Sequence, residues 1–86
     1  MIKKELAEEL ARRKVKPFRY NLGGQYTDQA HVLLKDQDQW IILYCEAGRK
    51  TIVNMYATEG DACDAMLELL APKPKWLKAL RNWLNL

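Results

Sequence analysis

The residues of this 86-residue chain that could do chemistry are one histidine, two cysteines and two close pairs of carboxylates. His31 is the natural candidate for a general base near neutral pH, and Cys45 is the nucleophile that it could activate. Both lie in apolar runs, and nothing beside Cys45 in the sequence would lower the pKa of its thiol. We therefore interpret His31 as structural or exposed, and Cys45 and Cys63 as reduced, buried thiols.

The carboxylate pairs have simple structural explanations. Asp36 and Asp38 fall in a turn, and Asp61 and Asp64 fall at a helix start, where the helix dipole stabilises negative charge. The two cysteines lie 18 residues apart with no second pair near either, which fits neither a zinc site nor a disulfide framework. The sequence predicts no catalytic residues, no metal site and no cofactor, and hence a protein that is not an enzyme.

The composition is that of an ordinary globular domain. At 49% hydrophobic and 29% charged residues, the chain has too much apolar content for a disordered protein. Its length allows one modest core. Its start has mixed charge, and no run approaches the roughly 18 apolar residues of a membrane span. We expect one cytoplasmic domain over 1–86, with a core at about 17–71, an N-terminal helix in 1–16 and an amphipathic C-terminal helix in 72–86.

Charge is distributed unevenly along the chain. Residues 1–16 carry six basic and three acidic side chains, and residues 72–86 carry four basic side chains and no acidic one. Residues 17–71 carry four basic and eight acidic side chains. The net charge of +3 would favour a nucleic-acid partner, but the segment predicted to form the core is acidic.

The spacing of hydrophobic residues predicts the order of the helices and strands that must position these groups. Leu6 and Leu10 recur with Ile2 at helical spacing and predict a helix over 2–14. Alternating residues predict strands at 18–22, 30–35, 40–45 and 51–56. The strand at 40–45 is apolar on both faces and should be central, and the short connections make neighbouring strands antiparallel.

Two further helices are predicted after the strands. Thr58 and Asp61 have the spacing of a capping box and begin a helix over 59–71. After Pro72 and Pro74, a second helix over 75–86 places Trp76, Leu77, Leu80, Trp83 and Leu84 on one stripe. The predicted fold class is α+β, with an N-terminal helix, a three- to four-stranded antiparallel sheet, and two C-terminal helices packed on the sheet.

Three stretches resemble the small immunity proteins of bacterial polymorphic toxin systems, of the contact-dependent growth inhibition and Rhs type. YNLGG at 20–24 is similar to the end of that family's first strand, and WIILYCEAG at 40–48 is similar to its strand W-x-V-x-Y-x-E-x-G. TEGDAC at 58–63, with the leucines that follow, resembles its helix start S-E-x-E-A-C. The chain departs at Thr58, at Leu43, where a second tyrosine often stands, and at 72–86, which extends past the pattern.

The resemblance implies a cytosolic inhibitor that binds the C-terminal domain of a cognate toxin, in most cases a basic nuclease, and blocks its active site or its substrate. An acidic surface would speed that capture. Trp40 and Tyr44 could anchor such an interface or pack in the core. The candidate contacts with a toxin are the exposed acids Asp36, Asp38, Glu46, Glu59, Asp61 and Asp64.

Other partners stay open at this point. The order helix, strands, helix is also that of a double-stranded RNA-binding domain, but the lysines that this domain places at the start of its second helix are replaced here by acids. The basic, tryptophan-containing segment at 75–86 is also typical of a membrane-surface helix, or it packs on the sheet or on a second copy in a homodimer. We expect a toxin protein as partner, with no nucleic acid and no membrane.

Overall fold

The computed structural model of the chain describes residues 1–72. Within these residues the chain forms two helices, four strands and one turn of 3-10 helix at Pro17–Arg19. In chain order the elements are α1 (Lys3–Arg12), β1 (Tyr20–Asn21), β2 (Ala30–Asp36), β3 (Gln39–Glu46), β4 (Arg49–Tyr56) and α2 (Glu59–Leu70). The α+β class is confirmed, while the second predicted C-terminal helix lies outside the described residues.

The sheet has the order β1-β2-β3-β4, and its pairing differs from the prediction. β2, β3 and β4 form an antiparallel meander, as expected from their short connections. β1, however, pairs with β2 in parallel, Tyr20 opposite His31 and Asn21 opposite Val32. The prediction of an entirely antiparallel sheet is therefore wrong, and the sheet is mixed.

The segment between β1 and β2 explains the parallel pair. Asn21 Oδ1 accepts the backbone amides of Gly23 at 2.8 Å and Gln25 at 3.3 Å, which turns the chain back immediately after β1. Gly24 has φ of +81°, which suits glycine, and a Cβ there would lie 3.3 Å from Leu34 Cβ. Residues 24–28 thus pass over the sheet face that bears Leu34 and Cys45, so β2 starts at the same end as β1.

The main core lies between the helices and one face of the sheet. Leu6 and Leu10 of α1 are fully buried there, as their spacing predicted, with Leu33 and Ile42 beneath them. α2 contributes four buried residues to this core, Ala62, Cys63, Met66 and Leu70. Ile2, which recurs with Leu6 and Leu10 at helical spacing, is 52% exposed because it lies before the first residue of α1 as its N-cap.

A smaller cluster occupies the other face of the sheet. Val32, Leu43 and Cys45 are buried there, with Leu34 and Ile41 beside them. β3 therefore has apolar neighbours on both faces, which confirms its prediction as the central strand. Both cysteines are free and buried, also as predicted.

The segment before β1 does not follow its prediction. Alternation placed Phe18 on the buried face of a strand over 18–22, but Pro17 starts a 3-10 turn and Phe18 is 71% exposed. Proline fixes φ near −65° and fits the first position of a helical turn. Only Tyr20 and Asn21 remain as strand.

β4 is the outer strand beside β3, and its middle is irregular. A bulge interrupts the ladder between the pairs Ile42–Asn54 and Leu43–Ile52. The side chain of Asn54 accepts the backbone amide of Met55 at 2.8 Å. A bulge and an occupied amide both hinder addition of another strand along this edge. Within residues 1–72, neither helix has the length and apolar character that crossing a bilayer requires.

Candidate functional site

One end of the molecule collects five of the eight predicted contact residues. The β2–β3 hairpin turns between Asp36 and Gln39, and Trp40 at the start of β3 pairs with Tyr56 at the end of β4. The chain then enters α2 after two residues. We call this surface the tip end and define it by the residues Asp36, Asp38, Trp40, Glu59 and Asp61.

The start of α2 at the tip end is fixed by two hydrogen bonds. Thr58 Oγ1 accepts the backbone amide of Asp61 at 3.1 Å, the N-cap bond that the sequence predicted. Glu59 Oε2 accepts the backbone amide of Lys3 at 2.9 Å, which joins the first turn of α2 to that of α1. Glu59 is therefore partly engaged inside the molecule, whereas Asp61 is exposed.

Trp40 packs against the main core and is partly buried. The ammonium groups of Lys3 and Lys35 lie 5.7 Å and 5.6 Å from the centroid of its ring, within the range of cation–π attraction. The ring thus supports the fold and also brings two positive charges among the carboxylates of the tip end. Counting charges segment by segment did not show that basic and acidic side chains meet here, because Lys3 lies far from Trp40 along the chain.

A concave surface adjoins the hairpin turn. It has a volume of about 440 Å³ and is lined by Asp38, Gln39, Met55, Tyr56 and Ala57. Met55 is 50% exposed and gives the cavity an apolar wall. Asp38 supplies a carboxylate and Tyr56 an aromatic ring, the two groups that best accommodate the head of a lysine or arginine side chain.

Three predicted contact residues lie away from the tip end. Glu46 ends β3 at the opposite end of the sheet. Tyr44 lies in mid-strand, where its ring centroid is 4.8 Å from that of His31. Asp64 is exposed on α2, one turn beyond Asp61. The structure therefore does not unite all eight residues in one surface.

Positive charge concentrates at the end of the molecule opposite the hairpin turn. We call this part of the molecule the basic end and define it by Arg12 at the end of α1, by Arg13 and Lys14 directly after it, and by Arg49 and Lys50 at the start of β4. Arg13 Nη1 donates to the carbonyl of Ala71, which brings the ends of the two helices together.

Sequence reasoning missed the basic end because its residues come from separate segments. Part of the basic end can be read from the sequence, because Ala47 and Gly48 form a turn directly before Arg49 and Lys50. In the structure Ala47 and Gly48 have φ of 51° and 79° in a tight turn, and Arg49 and Lys50 are exposed after it. Lys50 Nζ lies 3.9 Å from the centroid of the Tyr26 ring. Asp28 Oδ1 accepts the Ala47 amide at 2.8 Å and fixes the turn.

The residues singled out for acid–base or nucleophilic chemistry are not brought together. His31 pairs with Tyr44 across the strands, and Cys45, the next residue, points to the other face of the sheet. Desolvation, with help from nearby Arg19, lowers the pKa of His31 below its ordinary value of 6.5. Burial, with the negative charges of Glu59 and Asp64, raises the pKa of the Cys63 thiol.

Glu9 is the side chain with the strongest ion pairing among residues 1–72. Arg13 Nε donates to its Oε1 at 2.8 Å, and Arg12 contacts the same carboxylate. These hydrogen bonds lower the pKa of Glu9 to about 2. The pairs follow the i,i+3 and i,i+4 spacing of a helix surface and serve α1 itself.

In the described part of the chain, no three His, Cys, Asp or Glu side chains are close enough to hold a metal ion. What the arrangement offers is a cavity lined by the carboxylate of Asp38 at the tip end, and basic side chains from α1 and β4 at the basic end. Comparison with known protein families, with curated proteins and with solved structures finds no match to this chain.

Proposed function

We propose that this protein is an immunity protein, which binds a cognate toxin domain in the cytosol and blocks its active site or its access to substrate. The protein has no chemistry of its own in this proposal. The observation that supports it best is the concave, partly apolar surface at the tip end, which is lined by the carboxylate of Asp38 together with Met55 and Tyr56.

The tip end has features of a protein interface rather than of a solvated turn. An apolar centre with a charged rim is the usual anatomy of such interfaces, and Met55, Tyr56 and Asp38 provide it here. A basic side chain of the toxin would enter the cavity between Asp38 and Tyr56. Asp36 and Asp61 would act at longer range and speed the encounter with a basic nuclease.

The experiment that tests this proposal uses the toxin domain encoded next to the gene. The two proteins are coexpressed, growth is measured, and the association rate and dissociation constant of the purified complex are determined at two salt concentrations. We expect growth to be rescued and the association rate to fall as salt rises.

Charge reversal locates the binding surface. Asp38→Lys should slow association or weaken the complex by about tenfold or more, because it places a like charge at the cavity. Glu46→Lys is the matched control, since it makes the same change at the opposite end. Equal effects of the two variants would show that the tip end is not the binding surface. A toxin domain that neither binds this protein nor is neutralised by it would refute the proposed function.

A second candidate function is supported by the basic end. Arg12, Arg13 and Lys14 at the end of α1, and Arg49 and Lys50 at the start of β4, supply basic side chains that suit a phosphate backbone. Against it, Glu59, Asp61 and Asp64 occupy the helix start that contacts RNA in double-stranded RNA-binding domains. Submicromolar, salt-sensitive binding of duplex RNA that is lost in Arg49→Glu/Lys50→Glu would favour this function over the toxin complex.

A further inference from the structure

The sheet face opposite the helices keeps an apolar strip on β4. Ile52 and Met55 pair with Leu43 and Ile41 of β3, so their side chains lie on the same face as the smaller cluster. Leu43 is buried, but Ile52 and Met55 are 57% and 50% exposed. Adjacent exposed apolar side chains of this kind mark an interaction surface more often than isolated ones do.

The strip ends in opposite charges. Lys50 pairs with Cys45, which belongs to the smaller cluster, so Lys50 lies on the same face at the basic end. At the tip end, Asp38 lines the concave surface that Met55 also lines. Among residues 1–72, neither Lys50 nor Asp38 forms a salt bridge. Both charges are therefore available to a partner that covers the strip.

The order of these side chains along the strip is self-complementary. Successive side chains on one face of a strand are about 7 Å apart. From the basic end to the tip end, the successive rows hold Lys50, Ile52, Met55 and the hairpin turn with Asp38. A second copy, turned end for end about a point midway between Ile52 and Met55, places each Lys50 at Asp38 of the other copy and each Ile52 against Met55. Such a contact closes with two-fold symmetry.

We propose that this strip is the interface of a two-fold dimer, in which Lys50 of each copy enters the cavity at Asp38 of the other. A partner of one charge sign would meet a like charge at one end of the strip, whereas a second copy meets an opposite charge at both. The contact uses the face of β4, because the bulge and the occupied Met55 amide hinder pairing along its edge.

The dimer goes beyond the proposed function and has a consequence for it. Asp38 and Met55 line the cavity that we assign to the toxin, so one copy cannot bind both partners there at once. The dimer is thus a toxin-free form of the protein, and it opens when the toxin binds.

Analytical ultracentrifugation of the full-length protein without toxin tests the dimer, so its failure would leave the proposed function standing. The wild type should pass from monomer to dimer as its concentration rises, and the dimer should weaken at high salt. Lys50→Glu and Asp38→Lys should each weaken the dimer by about tenfold or more, because each creates two like-charge contacts in a two-fold interface. Arg49→Glu is the matched control, since neighbouring side chains on a strand point to opposite faces.

Charge exchange keeps the test valid if a single variant is monomeric for another reason. Mixing Lys50→Glu with Asp38→Lys restores both charge pairs, and we expect a dimer with one copy of each. The double variant Lys50→Glu/Asp38→Lys should dimerise alone, which serves if one single variant fails to fold. A wild type that stays monomeric would overturn the inference. A dimer that Lys50→Glu weakens no more than Arg49→Glu does, or single variants that do not associate when mixed, would overturn it as well.

Discussion

The tip end and the basic end differ in how their charges are held. At the tip end, Lys3 and Lys35 lie over Trp40, and Glu59 binds the Lys3 amide, so side chains of both signs contact a buried framework. At the basic end, Lys50 lies over the exposed ring of Tyr26. A charged side chain that contacts a core residue is held in one position. A charged side chain that contacts only exposed residues acts mainly through its long-range electrostatic field.

The largest effect should come from removing the framework of the tip end. Trp40→Ala deletes a partly buried indole that packs against the main core, and we expect a loss of about 2 to 3 kcal/mol in the free energy of unfolding. Tyr26→Ala at the basic end should cost well below that, because its ring is 58% exposed. Urea unfolding of both variants measures the difference, and equal losses would contradict the comparison.

The next effect concerns the N-cap of α2. Thr58→Ala removes the acceptor of the Asp61 amide, and we expect a loss of about 1 kcal/mol in the free energy of unfolding. Thr58→Ser keeps the hydroxyl and is the matched control. Thermal unfolding of the three proteins tests this, and a Thr58→Ser variant as unstable as Thr58→Ala would show that the methyl group matters instead.

Rules based on residue spacing predicted correctly the features that depend on residues close together in the chain. The α2 cap, the buried stripe of α1 and the β2–β3–β4 meander all follow from spacing over a few residues. The same rules failed at β1, where the hydrogen bonds that Asn21 Oδ1 accepts and the crossing segment 24–28 decide the pairing. No alternation pattern over 18–22 contains that information.

The candidate site was predicted in part for the same reason. Asp36, Asp38 and Trp40 share one hairpin, so their proximity follows from the turn. Their meeting with Glu59 depends on how the chain returns through β4 into α2. The cations of the basic end come from the end of α1 and the start of β4, which are far apart along the chain, so spacing over a few residues does not predict this group.

A smaller effect should appear in the pH dependence of stability through His31. Its folded pKa is lowered, so the unfolded chain binds this proton more readily, and acidification favours unfolding. The contribution is complete above pH 6.5 and is lost as the pH falls through the folded pKa. Unfolding at pH 7.5 and pH 5 should therefore show a smaller acid-induced loss for His31→Gln than for the wild type, and identical losses would refute this role.

The smallest effect belongs to Glu9, on the surface of α1 near the basic end. Its pKa is lowered from 4.5 to about 2 by hydrogen bonds from Arg12 and Arg13, so it favours folding above pH 4.5 and loses that effect as the pH falls toward 2. Solvent screening keeps the contribution to stability small. An NMR titration of the Glu9 carboxyl carbon should give a value near 2 in the wild type and a value closer to 4.5 in Arg12→Gln/Arg13→Gln. A titration that the double variant does not move would mean that these arginines do not hold the carboxylate in solution, and the charges at this end would then act only through their summed field.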